Sequence, residues 1–91
     1  MHIKPLMMDF EAVVTSKTCI LVKIDSDLDI TDSKIKILGP ARNILVSVSV
    51  NSYEIEICLP TGDPMFAELV TPHGNSVNYV VGSGANSYLN N

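Results

Sequence analysis

Ninety-one residues make a single domain, and a chain this short buries only about 60–65% of the surface its unfolded form exposes, so its core is thin. Ten acidic against six basic side chains leave a net charge of −4. The cations stand singly, which excludes a phosphate-backbone interface. The carboxylates are too sparse for an acidic mimic of DNA. Apolar residues make up 46% of the chain, with no Trp and two Phe. Ile, Val and Leu dominate them, and β-branched side chains favour a pleated surface over a helix.

In chain order, the first element is the alternation of Leu6, Met8, Phe10, Ala12 and Val14 with Met7, Asp9, Glu11, Val13 and Thr15. It predicts a strand with its even face inward. Thr18–Ile24 repeats the pattern with Ile20, Val22 and Ile24. A three-residue loop, Ser16-Lys17-Thr18, would pair Val14 with Ile20 and Ala12 with Val22. The even face continues through Leu28 and Ile30 and breaks at Thr31-Asp32-Ser33-Lys34. Folding there would set Ile30 against Ile35, Leu28 against Ile37, and Asp29 against Lys36. Gly39-Pro40 ends that run, because proline has no donor for a ladder.

Asn43–Pro60 carries the sharpest pattern. Folded about Asn51-Ser52, it predicts a hairpin pairing Val50 with Tyr53, Val48 with Ile55, Val46 with Ile57, and Ile44 with Leu59. That face is wholly apolar and is expected to floor the core. The other face pairs Ser49 with Glu54, Ser47 with Glu56, and Leu45 with Cys58. Thr61-Gly62-Asp63-Pro64 then signals a turn. The segment after it reads two ways. Asp63 as cap and Pro64 at the first position would start one short helix near residues 64–70. A strand over Phe66–Thr71, turning through Pro72-His73-Gly74-Asn75 into Ser76–Val81, is the preferred reading because six residues are few for a helix. Residues 82–91 have the Gly/Ser/Asn composition of a tail.

The expected fold is all-β and mostly antiparallel: a small sandwich or barrel of about six to eight short strands in a domain spanning residues 1–81. Cysteines 39 apart without Trp do not suit an immunoglobulin domain. Cys19 and Cys58 read as two small buried thiols, able to bridge only if their strands lie adjacent or opposed. No secretory signal, membrane span or glycosylation sequon is apparent, so a cytoplasmic protein, or part of a particle assembled there, is expected.

Chemistry is sparse. Asp25, Asp27 and Asp29 alternate along one strand with Asp32 in the next turn, a set of oxygen donors that suits a hard cation. Against this, the EF-hand pattern fails: no Gly stands at the sixth loop position, and Lys36 replaces the final Glu. A solvated edge that discourages aggregation is the preferred reading. Glu54 and Glu56 resemble an acid–base pair but fall on a wet hairpin face. The two histidines, His2 and His73, lie at the terminus and in a turn, outside any nucleophile motif. Met1, Met7, Met8 and Met65 with Tyr53, Tyr79 and Tyr88 are candidates for a contact surface. The functional expectation is therefore a non-enzymatic protein–protein interaction or assembly module, such as a viral or mobile-element accessory or structural protein, that self-associates or binds a protein partner. It is expected to bind no nucleic acid, membrane or cofactor. A cation- or small-ligand-binding domain using the Asp25/Asp27/Asp29 face is the alternative, and a small hydrolase a distant third.

Overall fold

A computed structural model describes residues 8–16, 18–27, 29–59 and 62–82. They form seven strands and no helix: β1 (Met8–Val14), β2 (Cys19–Ser26), β3 (Lys34–Leu38), β4 (Ile44–Ser49), β5 (Glu54–Cys58), β6 (Phe66–Thr71) and β7 (Gly74–Val81). One curled sheet holds them all, in the order β4-β3-β6-β7-β1-β2-β5. Every neighbouring pair is antiparallel except β1 with β7. The all-β class and the strand number agree with the sequence expectation.

The curl follows from chain length. A flat sheet would hold β4 and β5 six strand spacings apart, roughly 29 Å. Yet Val50 donates to the Ser33 carbonyl beside β3, while the Tyr53 carbonyl accepts from Ile24 in β2. Three peptide steps from Val50 to Tyr53 reach at most about 11 Å. The sheet must therefore roll into a half-barrel. Its concave side carries the core, with Ile20, Val22, Ile35, Ile37, Ala67 and Leu69 at 1% exposure or less.

The β1–β2 hairpin has the expected register, Val14 facing Ile20 and Ala12 facing Val22. The central hairpin does not form. β4 pairs with β3, Ile35 facing Val48 and Ile37 facing Val46, whereas β5 pairs with β2 at the opposite edge. Alternation decides which face a side chain takes but not which strand lies beside it, and rows of Val and Ile fit any apolar row. Hence Val46, Val48, Val50, Ile55, Ile57 and Leu59 do turn towards the core. Ile44 and Tyr53, at the ends of the pattern, remain 58% and 49% exposed.

The competing hairpin is more local. Arg42 N donates to the Gly39 carbonyl, and Gly39 N to the Asn43 carbonyl. Pro40 thus occupies the first corner of a turn rather than the end of a strand, and Arg42 follows in the left-handed region at φ 61°. A turn followed by one left-handed residue produces a bulge, seen as a register shift at Ile37/Leu38. With β3 already flanked by β4 and β6, the expected pairing of Ile30 with Ile35 and of Asp29 with Lys36 is absent. Leu28, its third member, lies outside the described residues.

The short helix near 64–70 is also replaced by strand. Met65 N donates to the Leu38 carbonyl, and Phe66–Thr71 lies between β3 and β7. Ladder bonds on both sides outweigh the cap signal of Asp63-Pro64, since six residues gain little from helix formation alone. The β6–β7 turn is tighter than expected, with Thr71 facing Gly74 across Pro72-His73. The Thr71 hydroxyl accepts from His73 N and donates to the Gly74 carbonyl.

The Cys19–Cys58 pair is bonded, which corrects the reading as buried thiols. Bonds at Ile24–Tyr53 and Thr18–Leu59 set the alternation along β2 and β5, so Cys19 and Cys58 face each other at a site without backbone bonds. Side chains approach most closely at such sites. Cys58 is exposed and Cys19 half-buried, both on the outer face.

Candidate functional site

The convex face of the sheet is built by the residues that the concave core leaves out. Along β6 these are Phe66, Glu68 and Val70, and opposite them on β7 are Tyr79, Val77 and Asn75. Across the parallel seam Val81 faces Val13, and Val13 in turn faces Leu21. An apolar band therefore runs over β6, β7, β1 and β2. Tyr79 is 71% exposed, Val81 58% and Val77 41%, although none of them sits in a loop.

The centre of the band is an aromatic pair. The Phe66 and Tyr79 rings lie 5.2 Å apart, tilted by 39°. The Arg42 guanidinium stands 4.6 Å from the Phe66 ring centre, close enough for a cation–π contact. The left-handed turn at Arg42 and the bulge at Ile37/Leu38 bring the guanidinium there. They also turn Ile44 outward beside Leu38, extending the band towards β4.

Charge is divided across the band. Lys34, Lys36 and Arg42 lie on the β3–β4 side. Asp9, Glu11, Asp25, Glu54 and Glu56 lie on the β1–β2–β5 side, where Lys23 faces both Glu11 and Glu54. Glu68, between the halves, accepts a hydrogen bond from the Asn75 amide. Such a surface offers an apolar centre with a polar rim of two signs, the composition of a contact patch.

The sequence-derived candidates distribute unevenly. Asp25 stands on the outer face of β2 opposite Asp9, Asp27 in the bend after β2, and Asp32 in a left-handed turn. Asp29 Oδ1 accepts from both the hydroxyl and the backbone N–H of Thr31, at 2.6 and 2.9 Å. The Thr31 hydroxyl and then its N–H hold this carboxyl below its ordinary value of 3.8, with a smaller contribution from His73. Among the described residues no three acidic, His or Cys side chains gather as a metal-binding group. Glu54 and Glu56 both reach solvent on the outer face of β5. His73 is exposed in the β6–β7 turn.

Of the contact candidates, Tyr79 lies at the centre of the band, Tyr53 at the crossing between β4 and β5, and Met65 immediately before β6. Met1, Met7, Tyr88 and His2 lie outside the described residues, as does the tail beyond Gly82; nothing is described of the Met8 side chain. Sequence reasoning did not single out Phe66, Val77, Val81, Val13 and Leu21. The available signal was that no register of residues 66–81 separates apolar from polar. A hairpin apolar on both sides leaves one side uncovered. No protein-family model matches the chain, and neither a curated protein nor a solved structure was found similar to it.

Proposed function

We propose that this chain is a non-enzymatic protein-interaction module, an accessory or structural component that docks a protein partner on the convex face of its sheet. The observation that carries this reading is the pair of half-buried Phe66 and exposed Tyr79, set in a band of Val77, Val81, Val13 and Leu21. Exposing aromatic and β-branched side chains on a regular strand forgoes roughly 25 cal/mol for each Å² left wet, and a partner recovers that burial. Arg42 and the aromatics are residue types that dominate interface energies.

The Cys19–Cys58 bridge adds a setting. Disulfides persist where the surroundings are oxidising. The finished domain therefore acts on the outside of a particle or beyond a reducing cytosol. Among the described residues no helix is long and apolar enough to cross a membrane.

The test compares the chain with a Tyr79→Asp variant and a Glu54→Gln control in affinity capture, followed by titration of each purified partner. A partner bound by the parent and the control, and lost from Tyr79→Asp, is the expected result. Equal binding by Tyr79→Asp removes the proposal.

A further inference from the structure

The two ends of the sheet differ in a way the convex face does not explain. β4 and β5 both present an edge to which, among the described residues, no strand is paired. On β4 the bond from Val50 N to the Ser33 carbonyl sets the alternation. Val48 and Val46 therefore direct their backbone groups to Ile35 and Ile37 on β3, leaving those of Ser47 and Ser49 to point away from the sheet. On β5 the same reasoning from the Ile24–Tyr53 bond leaves Glu54, Glu56 and Cys58 as the outward groups.

The side chains on those edges are opposite in kind. β4 reads Ile-Leu-Val-Ser-Val-Ser, with no charge, Pro or Gly. β5 reads Glu-Ile-Glu-Ile-Cys, with a carboxylate at every other position and a disulfide at its end. Inserting charge is how an edge is protected from pairing. β5 is protected in this way and β4 is not.

We infer that β4 is the site where a second copy of this chain adds, antiparallel about a two-fold axis, so that the two sheets become continuous. This does not depend on the convex-face reading and uses another surface. The pattern of β4 is compatible with itself. With Ser47 facing Ser47 of the second copy, Val46 meets Val48 on the core side and the serines stay on the solvent side. The outward backbone groups of Ser47 then bond across the axis. The nearest charged strand on each side is β3, which places Lys34 and Lys36 three strand spacings from their counterparts, about 14 Å. That exceeds the screening length of about 8 Å at physiological salt.

The competing arrangements fail on the same grounds. Joining β5 to β5 would place four glutamates on adjacent strands only about 5 Å apart. Joining β4 to β5 leaves a free β4 and a free β5 at the two ends, so a pair of copies does not close and the contact propagates into a ring or an open polymer. Only the β4–β4 arrangement closes with two copies and keeps charges apart.

Light scattering coupled to size exclusion, over a hundredfold concentration series, tests the inference. The parent chain should run as a dimer that dissociates on dilution. Ser47→Lys puts two cations across the axis at an exposed position and should run as a monomer with the parent's circular dichroism and melting point under dilute conditions. Ser47→Cys should form a disulfide-linked dimer on mild oxidation, and Glu56→Cys should not. Tyr79→Asp, which disrupts the convex face, should remain dimeric, so the two surfaces are separable. A parent that stays monomeric throughout overturns the inference. So does a dimer that survives Ser47→Lys, and so do rings or open polymers. Loss of the dimer in Tyr79→Asp alone moves self-association to the convex face and overturns the β4 assignment.

Discussion

Ser33 is only 2% exposed, and its backbone is fully used. Its N–H donates to the Ile30 carbonyl and its carbonyl accepts from Val50, whereas its hydroxyl has no hydrogen-bond partner among the described residues. A buried hydroxyl without a partner loses about 1–3 kcal/mol of hydration. Ser33→Ala should therefore raise stability by about 1 kcal/mol in urea titration. Among buried apolar residues the sign is opposite, and Leu69→Ala should cost about 2–5 kcal/mol by the same measurement. Asp29 concerns pH. Its folded carboxyl titrates below 3.8 because Thr31 donates to the ionised form. The stabilising contribution is therefore present above the unfolded value and is lost as pH falls through the lower folded one. Carbon-detected titration should place the Asp29 midpoint below 3.8, and Thr31→Val should return it towards that value.

At the scale of elements, β5 is the strand that most needs its tether. It is five residues long, sits at an edge, and among the described residues pairs with β2 alone. The Cys19–Cys58 bond closes a loop between residues 39 apart, for which the chain-entropy model gives about 4 kcal/mol. Replacing both cysteines by Ala should cost about 2–4 kcal/mol in denaturant titration. Hydrogen exchange should rise first at the backbone groups of β5 and β2. β3 depends on no such staple, because it is paired on both sides and two of its residues are wholly buried. The Gly39–Asn43 turn that joins it to β4 shows why Pro40 misleads. A proline excluded from a ladder is well suited to a turn's first corner, and the sequence alone does not say which role it takes.

For the whole molecule, the parallel contact of β1 with β7 decides the architecture, because it joins the two hairpin-built halves into one sheet. Its register pairs Ala12 with Val80 and Val13 with Val81, and the Asn78 amide donates to the Phe10 carbonyl across the same seam at 2.8 Å. Asn78→Ala should therefore cost about 1 kcal/mol in urea titration. Asn75→Ala, which removes an exposed bond to Glu68, should change stability by less than about 0.5 kcal/mol. Closing this seam brings together segments nearly seventy residues apart. Pairings so distant slow the folding of β proteins.

The sequence by itself determined the strand content, the inward face of β1 to β5, and the register of the β1–β2 hairpin. These are local properties: a period of two fixes the face, and a short loop of odd length fixes the register. It also showed that residues 66–81 resist sorting into one apolar and one polar side, without saying why. Only the tertiary structure decided which strands are neighbours. It parted Ile44–Ser49 from Glu54–Cys58 and sent them to opposite edges, because rows of Val and Ile pair equally well with many partners and loop closure chose among them. The same choice brought Cys19 opposite Cys58, separated the four aspartates Asp25, Asp27, Asp29 and Asp32 between a strand and two turns, and left Phe66, Tyr79 and Val81 on the outside of the curl.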